Sequence, residues 1–247
     1  MEHVSKAQIK FVRSLQLRKF RDESGCFVAE GDKCISELRK TFELVLLADA
    51  ANATESEIGQ MSGLKTPQGS IAVFRKRTPN AKPLPLPEWP DDIILVLDGI
   101  QDPGNLGTII RTCDWFGVRH VICSLDTVDC YNPKVVQATM GALARVKLDY
   151  MDLMPLLREA HTNNIPVYGT LLDGENMYSV LAEGGYGHGQ SLIVMGNEGN
   201  GISPAVRECI TVPLRIPSYP PEADTSESLN VAIATAVVLA EFRRASN

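Results

Sequence analysis

The residues able to do chemistry fall in three loops. Asn105 and Arg111 lie in the stretch Leu97-Asp-Gly-Ile-Gln-Asp-Pro-Gly-Asn-Leu-Gly-Thr-Ile-Ile-Arg111, where an apolar run enters a Pro/Gly turn and a helix begins. Such a turn aims backbone N–H groups and the positive helix end at a ligand. If both residues are helical, their six-residue spacing sends them to different faces. If Asn105 precedes the helix, both can face one pocket. Taken alone, a capping role for Asn105 and a surface role for Arg111 explain the pair equally well. The second loop, Leu192-Ile-Val-Met-Gly-Asn-Glu-Gly-Asn-Gly-Ile202, places Gly196, Asn197 and Glu198 after another apolar run. Its GxxGxG order is neither the dinucleotide GxGxxG nor a phosphate loop with Lys and Ser/Thr, so ATP, GTP and dinucleotides are not supported. Its glycines allow close backbone approach to a ligand, and Glu198 is its only charge. The third runs from Leu214 through Ile216 and a proline-rich crossing to Ser228, Leu229 and Asn230, where a long helix opens. Capping alone would explain Ser228 and Asn230.

None of these loops carries a Ser/His/Asp or Cys/His arrangement or a carboxylate pair suited to glycoside chemistry, so hydrolytic and nucleophilic readings are weak. The six cysteines and four histidines are scattered without ligand spacing, and no metal site is expected.

The elements that must position these loops divide at Thr78–Asp91, where five prolines exclude a helix or a central strand. We expect a linker over 78–91 between a small α/β domain, 1–77, and a larger domain, 92–247. Before it, the pattern predicts helices over Lys6–Leu17, Asp32–Thr41 and Glu55–Met61, and strands over Cys26–Glu30, Leu44–Ala48 and Ser70–Arg75. After it, apolar β-branched runs predict strands over Ile93–Leu97, His120–Cys123, Val146–Leu148, Val167–Leu171, Leu192–Met195 and Ile210–Val212. These alternate with helices over Leu106–Phe116, Pro133–Met140, Leu153–Thr162, Pro204–Glu208 and Ser228–Arg244. Continuous apolar strands alternating with helices indicate a parallel sheet covered on both faces. Ligands then bind beyond the carboxyl ends of its strands, where the three loops fall.

The chain has 247 residues and a net charge of −6, with 44% hydrophobic residues. These values describe a globular protein, and the acidic total argues against indiscriminate coating of nucleic acid. The distribution is uneven, however. Lys6–Arg21 holds six basic residues and no acid, and Lys65–Lys82 holds five and no acid. Most charge runs are solvated faces, but two acid-free runs in the small domain favour phosphate contacts. The candidates are Lys10, Arg13, Arg18, Lys19, Arg21, Arg75, Lys76 and Arg77. The N-terminus lacks the apolar core of a signal peptide, the longest apolar stretch is too short to span a bilayer, and the cysteines read as reduced thiols, so no membrane role and a cytoplasmic location are expected.

In order, Asp102–Thr112 (DPGNLGTIIRT), Ile193–Ser203 (IVMGNEGNGIS) and Ile216–Pro217 with Ser228–Ala234 (SLNVAIA) resemble the motifs of the SpoU/TrmH family of RNA ribose 2′-O-methyltransferases. Ser14–Lys40 also resembles the small RNA-binding domain that precedes many members. The resemblance implies a parallel α/β domain with a deep C-terminal trefoil knot, preceded by a ribosomal-protein-L30e-like α/β domain. It implies a homodimer that binds S-adenosylmethionine through Gly196, Asn197, Ile216, Ser228 and Leu229 and methylates ribosomal or transfer RNA. The polar motif positions are Asn105, Arg111, Glu198, Ser228 and Asn230, with the arginine assigned to help deprotonate the ribose hydroxyl. A guanidinium is permanently protonated in proteins. Placing a phosphate and stabilising the forming alkoxide suit it better. The link 218–227 is longer and richer in proline than is usual in the family. Two other readings remain: a knotted RNA-binding protein without catalysis, and a base-methylating member of the wider knotted superfamily.

Overall fold

The computed structural model describes residues 3–78, 85–86, 92–182, 190–220 and 228–245. The chain forms two compact units: Met1–Pro79 with Asp129–Arg145, and Asn80–Val128 with Val146–Asn247.

In the first unit, α1 (Lys6–Ser14) opens on a capping box between Ser5 and Gln8. It stops before the expected Leu17, and a separate helix, α2 (Arg18–Ser24), follows. The break is satisfied from within the chain. Arg21 turns inward and its Nη1 donates to the carbonyls of Leu15 (2.9 Å) and Gln16 (3.0 Å), which the end of α1 leaves open. Then come β1 (Cys26–Glu30), α3 (Asp32–Leu38), β2 (Leu44–Ala48), α4 (Glu55–Met61) and β3 (Ile71–Arg75). The strands form an antiparallel sheet in the order β1-β3-β2. Val12, Leu15, Val28, Ile58, Met61, Ile71 and Val73 form one core.

The second unit holds β4 (Ile93–Leu97), α5 (Pro103–Trp115), β5 (His120–Cys123), β6 (Lys147–Tyr150), α7 (Leu153–Thr162), β7 (Val167–Asn176), α8 (Met177–Ala182), β8 (Ser191–Met195), α9 (Pro204–Arg207), β9 (Val212–Arg215) and α10 (Val231–Ala245). The label α6 belongs to Pro133–Ala138, in the first unit. The six strands are parallel, in the order β6-β5-β4-β8-β7-β9. Ile94, Val96, Ile122, Leu157, Val167, Leu192 and Val194 anchor the core. The order reverses between β4 and β8, so their carboxyl ends flank the switch point where ligands bind such sheets.

Several boundaries shift for local reasons. α5 begins at Pro103 rather than Leu106 because Asp102 is its cap, accepting from the Asn105 N–H at 2.8 Å. β9 begins at Val212 rather than Ile210 because the N–H groups of Cys209 and Ile210 still bond back to Val206 and Arg207 in a continued turn. β7 runs on to Asn176 because it follows β9, with Glu175 opposite Leu214. That approach requires Gly174, since a Cβ there would stand 2.6 Å from the Leu214 carbonyl carbon.

One organisational expectation is revised by the packing. Residues 129–145, placed by sequence in the larger domain, are built into the first unit. There α6 packs on β1, the Tyr131 ring lies 4.8 Å from that of Phe27, and Asp129 receives Arg21 at 2.8 Å. Most of the stretch read as a linker, 78–91, lies outside the described residues. Leu86 within it is a fully buried member of the second unit's core, and its N–H donates to Glu159 at 2.8 Å.

Candidate active site

Three loops meet at the β4/β8 switch point. After β4, Gly99 turns the chain at φ 72°, in the left-handed region that glycine adopts without strain. After β8, Gly196 is compulsory for a different reason: a Cβ there would lie 2.3 Å from the Ile202 nitrogen and 2.4 Å from the Gly201 carbonyl carbon. The loop closes tightly on itself, with reciprocal Asn197–Gly201 backbone hydrogen bonds of 2.9 Å. Asn197 organises it. Its Oδ1 accepts from the N–H groups of Gly199 (2.9 Å) and Asn200 (3.0 Å), and its Nδ2 donates to the Gly99 carbonyl at 2.6 Å, tying the two loops together. A second tie runs from the Ser203 N–H to the buried carboxylate of Asp98, at 2.7 Å.

A line of side-chain amides spans all three loops. Asn230 Nδ2 donates to Asn105 Oδ1 at 2.9 Å, and Asn105 Nδ2 donates to Glu198 Oε1 at 2.8 Å. Asn230 is fixed from behind, because its Oδ1 caps α10 by accepting from Ala232 (3.0 Å) and Ile233 (3.3 Å). The cap is therefore Asn230, and α10 begins at Val231, not at Ser228. α10 packs along α5, which holds Asn105 and Asn230 at meeting distance.

The structure thus brings together Asn105, Glu198 and Asn230, with Gly196 and Asn197 shaping the loop beneath them. It does not bring Arg111 into this line. Asn105 lies inside α5, so a six-residue step turns Arg111 well away from it around the helix and about 9 Å further along. Arg111 is exposed and makes no ion pair among the described residues. Ser228 and Leu229 are exposed beside Asn230, and Ile216 is half-buried after β9. Sequence reading passed over Asp98, Asp102 and Ser203. An Asp directly before Pro103 was a legible cap signal for Asp102. The Asp98–Ser203 tie joins residues 105 positions apart and leaves no local pattern.

The basic residues of the first unit separate into two groups. Lys10 and Arg13 are exposed on α1 without a carboxylate partner among the described residues. Arg18 and Lys19 are exposed and make only i,i+4 pairs with Asp22 (3.5 Å) and Glu23 (3.8 Å). The rest are committed internally. Arg21, expected to face RNA, is 2% exposed and bound to Asp129, Leu15 and Gln16. Arg75 is the exception, exposed and paired with an exposed Glu43 at 3.0 Å in a surface bridge like those of Arg18 and Lys19. Lys76 holds Asp22 at 2.6 Å and lies 5.5 Å from the centre of the Tyr131 ring. Its hydrogen bond keeps the Asp22 carboxyl below its ordinary range. Arg77 donates to the Ala144 carbonyl at 2.8 Å and stacks over Phe42. A concavity of about 540 Å³ on this unit is lined by Asp32, Ser36, Arg39, Asp49 and Ser70, none of them from the three motif loops.

A ligand that approaches the β8 loop meets backbone and one carboxylate, with no Lys or Arg between Leu192 and Ile202. That donor set disfavours a phosphate and fits an uncharged or cationic group such as a sulfonium. Among the described residues no cluster of His, Cys, Asp and Glu could hold a metal ion, and no helix is long and apolar enough to cross a membrane.

Fold and site together define a parallel α/β domain with its ligand loops gathered at one switch point, joined to a small antiparallel unit. The chain belongs to the SpoU rRNA methylase family, whose model matches residues 92–240, and residues 6–58 match the MRM3-like substrate-binding domain. Similar proteins include the 23S rRNA (guanosine(2553)-2′-O)-methyltransferase RlmP of Bacillus subtilis, 27% identical over 98% of both chains. Among solved structures, a chain from Porphyromonas gingivalis assigned to the TrmH family of RNA methyltransferases is 40% identical over 98% of both chains, with a TM-score of 0.83. An S-adenosylmethionine-bound rRNA methyltransferase from Sinorhizobium meliloti is 28% identical over 99% of this chain and 97% of its own, with a TM-score of 0.84.

Proposed function

We propose that this protein transfers the methyl group of S-adenosylmethionine to a ribose 2′-hydroxyl of ribosomal RNA. The observation that carries the reading is the Asn230–Asn105–Glu198 line, which locks three loops of one family's motifs into a single site at the sheet's switch point. S-adenosylmethionine supplies an electrophilic methyl carbon. Transfer would break the sulfonium C–S bond as the ribose C–O bond forms, releasing S-adenosylhomocysteine, with the hydroxyl's proton passing to bulk solvent. Such a displacement depends on alignment in a dry pocket more than on a strong acid. Gly196, Asn197, Ile216, Ser228 and Leu229 border the cofactor's place. Asn105, Glu198, Ser228 and Asn230 orient the loops around it. Arg111, exposed on the next turns of α5, receives the RNA phosphate and steadies the developing alkoxide. Lys10, Arg13, Arg18 and Lys19 supply the small domain's phosphate contacts.

Membership of the family supports a trefoil knot in the C-terminal segment, a homodimer, and work in the cytoplasm where ribosomal RNA is matured. The dimer rests on that membership alone: Trp115 on α5 and Ile233 on α10 are exposed, but they stand near opposite ends of the two packed helices and do not form one apolar patch. Light scattering is expected to give twice the chain mass, and a monomer at micromolar concentration overturns the dimer.

Tritiated methyl transfer to bulk ribosomal RNA, followed by nuclease digestion, tests the activity. Label on ribose is expected. Label on a base overturns the 2′-O assignment, and no label at all overturns the enzyme.

A further inference from the structure

We infer that the turn between α1 and α2 is a reading tip that sets Leu17 and Phe20 against an unstacked nucleobase while Lys6, Lys10 and Arg13 hold the flanking phosphates. The RNA engaged there is accordingly a loop or bulge and not an uninterrupted duplex. The inference rests on the RNA-methylating reading above.

The same short stretch treats its apolar residues in two ways. Val12 and Leu15 are fully buried in the first unit's core, whereas Leu17 is 61% exposed and Phe20 38% exposed. Leu17 caps α2 without a side-chain hydrogen bond, and Phe20 follows three residues later, so the two project from one side of the helix start. Leading to this turn, Lys6, Lys10 and Arg13 recur at spacings of four and three along α1, which aligns them as one stripe on the exposed face. None of the three has a carboxylate partner among the described residues, unlike Arg21, Arg75 and Lys76. Arg18 and Lys19 flank the tip, and their surface pairs with Asp22 and Glu23 are weak enough to yield to a phosphate.

Charge complementarity selects a polyanion. The two apolar groups select what else it must offer. A continuous A-form duplex presents phosphates and hydroxyls but keeps its base faces inside the stack, whereas loops and bulges splay bases out against aromatic and apolar side chains. An anionic membrane would also attract cations beside apolar groups. A helix lying on a membrane needs a broad apolar face, however, and the apolar face of α1 is spent on the core through Val12 and its neighbours.

The test uses the full chain with two RNAs: a hairpin with an eight-base-pair stem and an eight-nucleotide loop carrying 2-aminopurine, and a fully paired duplex of equal length. Binding is followed by anisotropy between 50 and 200 mM salt, with vesicles containing one-third phosphatidylserine as a third arm. The wild type should prefer the hairpin by about tenfold. Phe20→Ala and Leu17→Ser should each remove most of that preference, leave the salt slope unchanged and melt like wild type. Lys10→Ala with Arg13→Ala should weaken both RNAs and reduce the salt slope by about two. Equal binding of the two RNAs by wild type, a preference that survives in both apolar variants, or vesicle binding that these variants abolish overturns the tip. If the wild type binds neither RNA and transfers no methyl group, the RNA-methylating reading itself fails.

Discussion

Arg21 and Arg111 carry the same guanidinium into different surroundings, and each makes a different prediction. Arg21 is buried against Asp129 at 2.8 Å and closes two carbonyls at the end of α1. Removing one partner of a buried pair leaves the other charge without solvent or counterion, at a cost of about 3–5 kcal/mol. Arg21→Ala should therefore lower the stability of the chain by about that amount in urea denaturation, and unchanged stability would show that Asp129 finds water instead. Arg111 is exposed on α5 and tied to nothing described. Arg111→Ala should leave the melt and the calorimetric affinity for S-adenosylmethionine unchanged while methyl transfer falls by about a hundredfold or more. Lost cofactor affinity would move Arg111 into the cofactor pocket. Both arginines were visible in the sequence as cations, but only the three-dimensional packing separates them. A basic run reports composition and not which face of a helix turns inward, and Arg21 finds its partners in carbonyls that only the end of α1 exposes.

At the scale of elements, short β-branched runs were legible to the residue. Strands at Cys26–Glu30 and Ile93–Leu97 stand where the pattern put them, because a fully buried strand has little freedom in what it can display, and those at Leu44–Ala48 and His120–Cys123 match as well although the first is buried only at Ala48. Ends set by distant partners were not legible. β7 continues to Asn176 only because β9 lies beside it, and α10 waits for Asn230 because Asn230 is also engaged with Asn105. The loop after β8 shows how one glycine differs from its neighbours. A Cβ at position 196 would meet backbone at 2.3 Å, whereas one at position 199 meets only Asn197 Oδ1, at 3.6 Å. Gly196→Ala must prise the loop open and should weaken S-adenosylmethionine binding by at least a hundredfold in calorimetry. Gly199→Ala should stay within a few fold of wild type. Equal effects of the two substitutions would mean that the tightness of the loop does not shape the pocket.

At the scale of the whole molecule, the net charge of −6 conceals a basic stripe on α1, and that unevenness was readable by counting along the chain. The allotment of residues 129–145 was not, because periodicity describes a segment's own faces and not which core receives them. That segment brings α6 onto the first unit's sheet, where the Cys34 thiol of α3 faces the Val136 carbonyl at 3.9 Å. Burial pushes this thiol up to about 11 from its ordinary value of 9.0. Burial, and then the neighbouring Asp114 carboxylate, also raises the Cys113 thiol of α5. A folded chain that holds a proton more tightly than the unfolded chain gains stability from it, and that gain is complete below pH 9 and disappears as pH climbs through 11. For Cys34 the loss should reach about 2 kcal/mol at pH 11. Urea midpoints at pH 7, 9 and 10.5 should therefore hold steady over the first interval and fall over the second. In Cys34→Ala, which has no thiol to ionise at that position, the fall should be shallower even though its midpoint at pH 7 is lower from the lost packing. A parallel decline in the two proteins would show that water reaches this thiol and that α6 does not seal the face of α3 it covers.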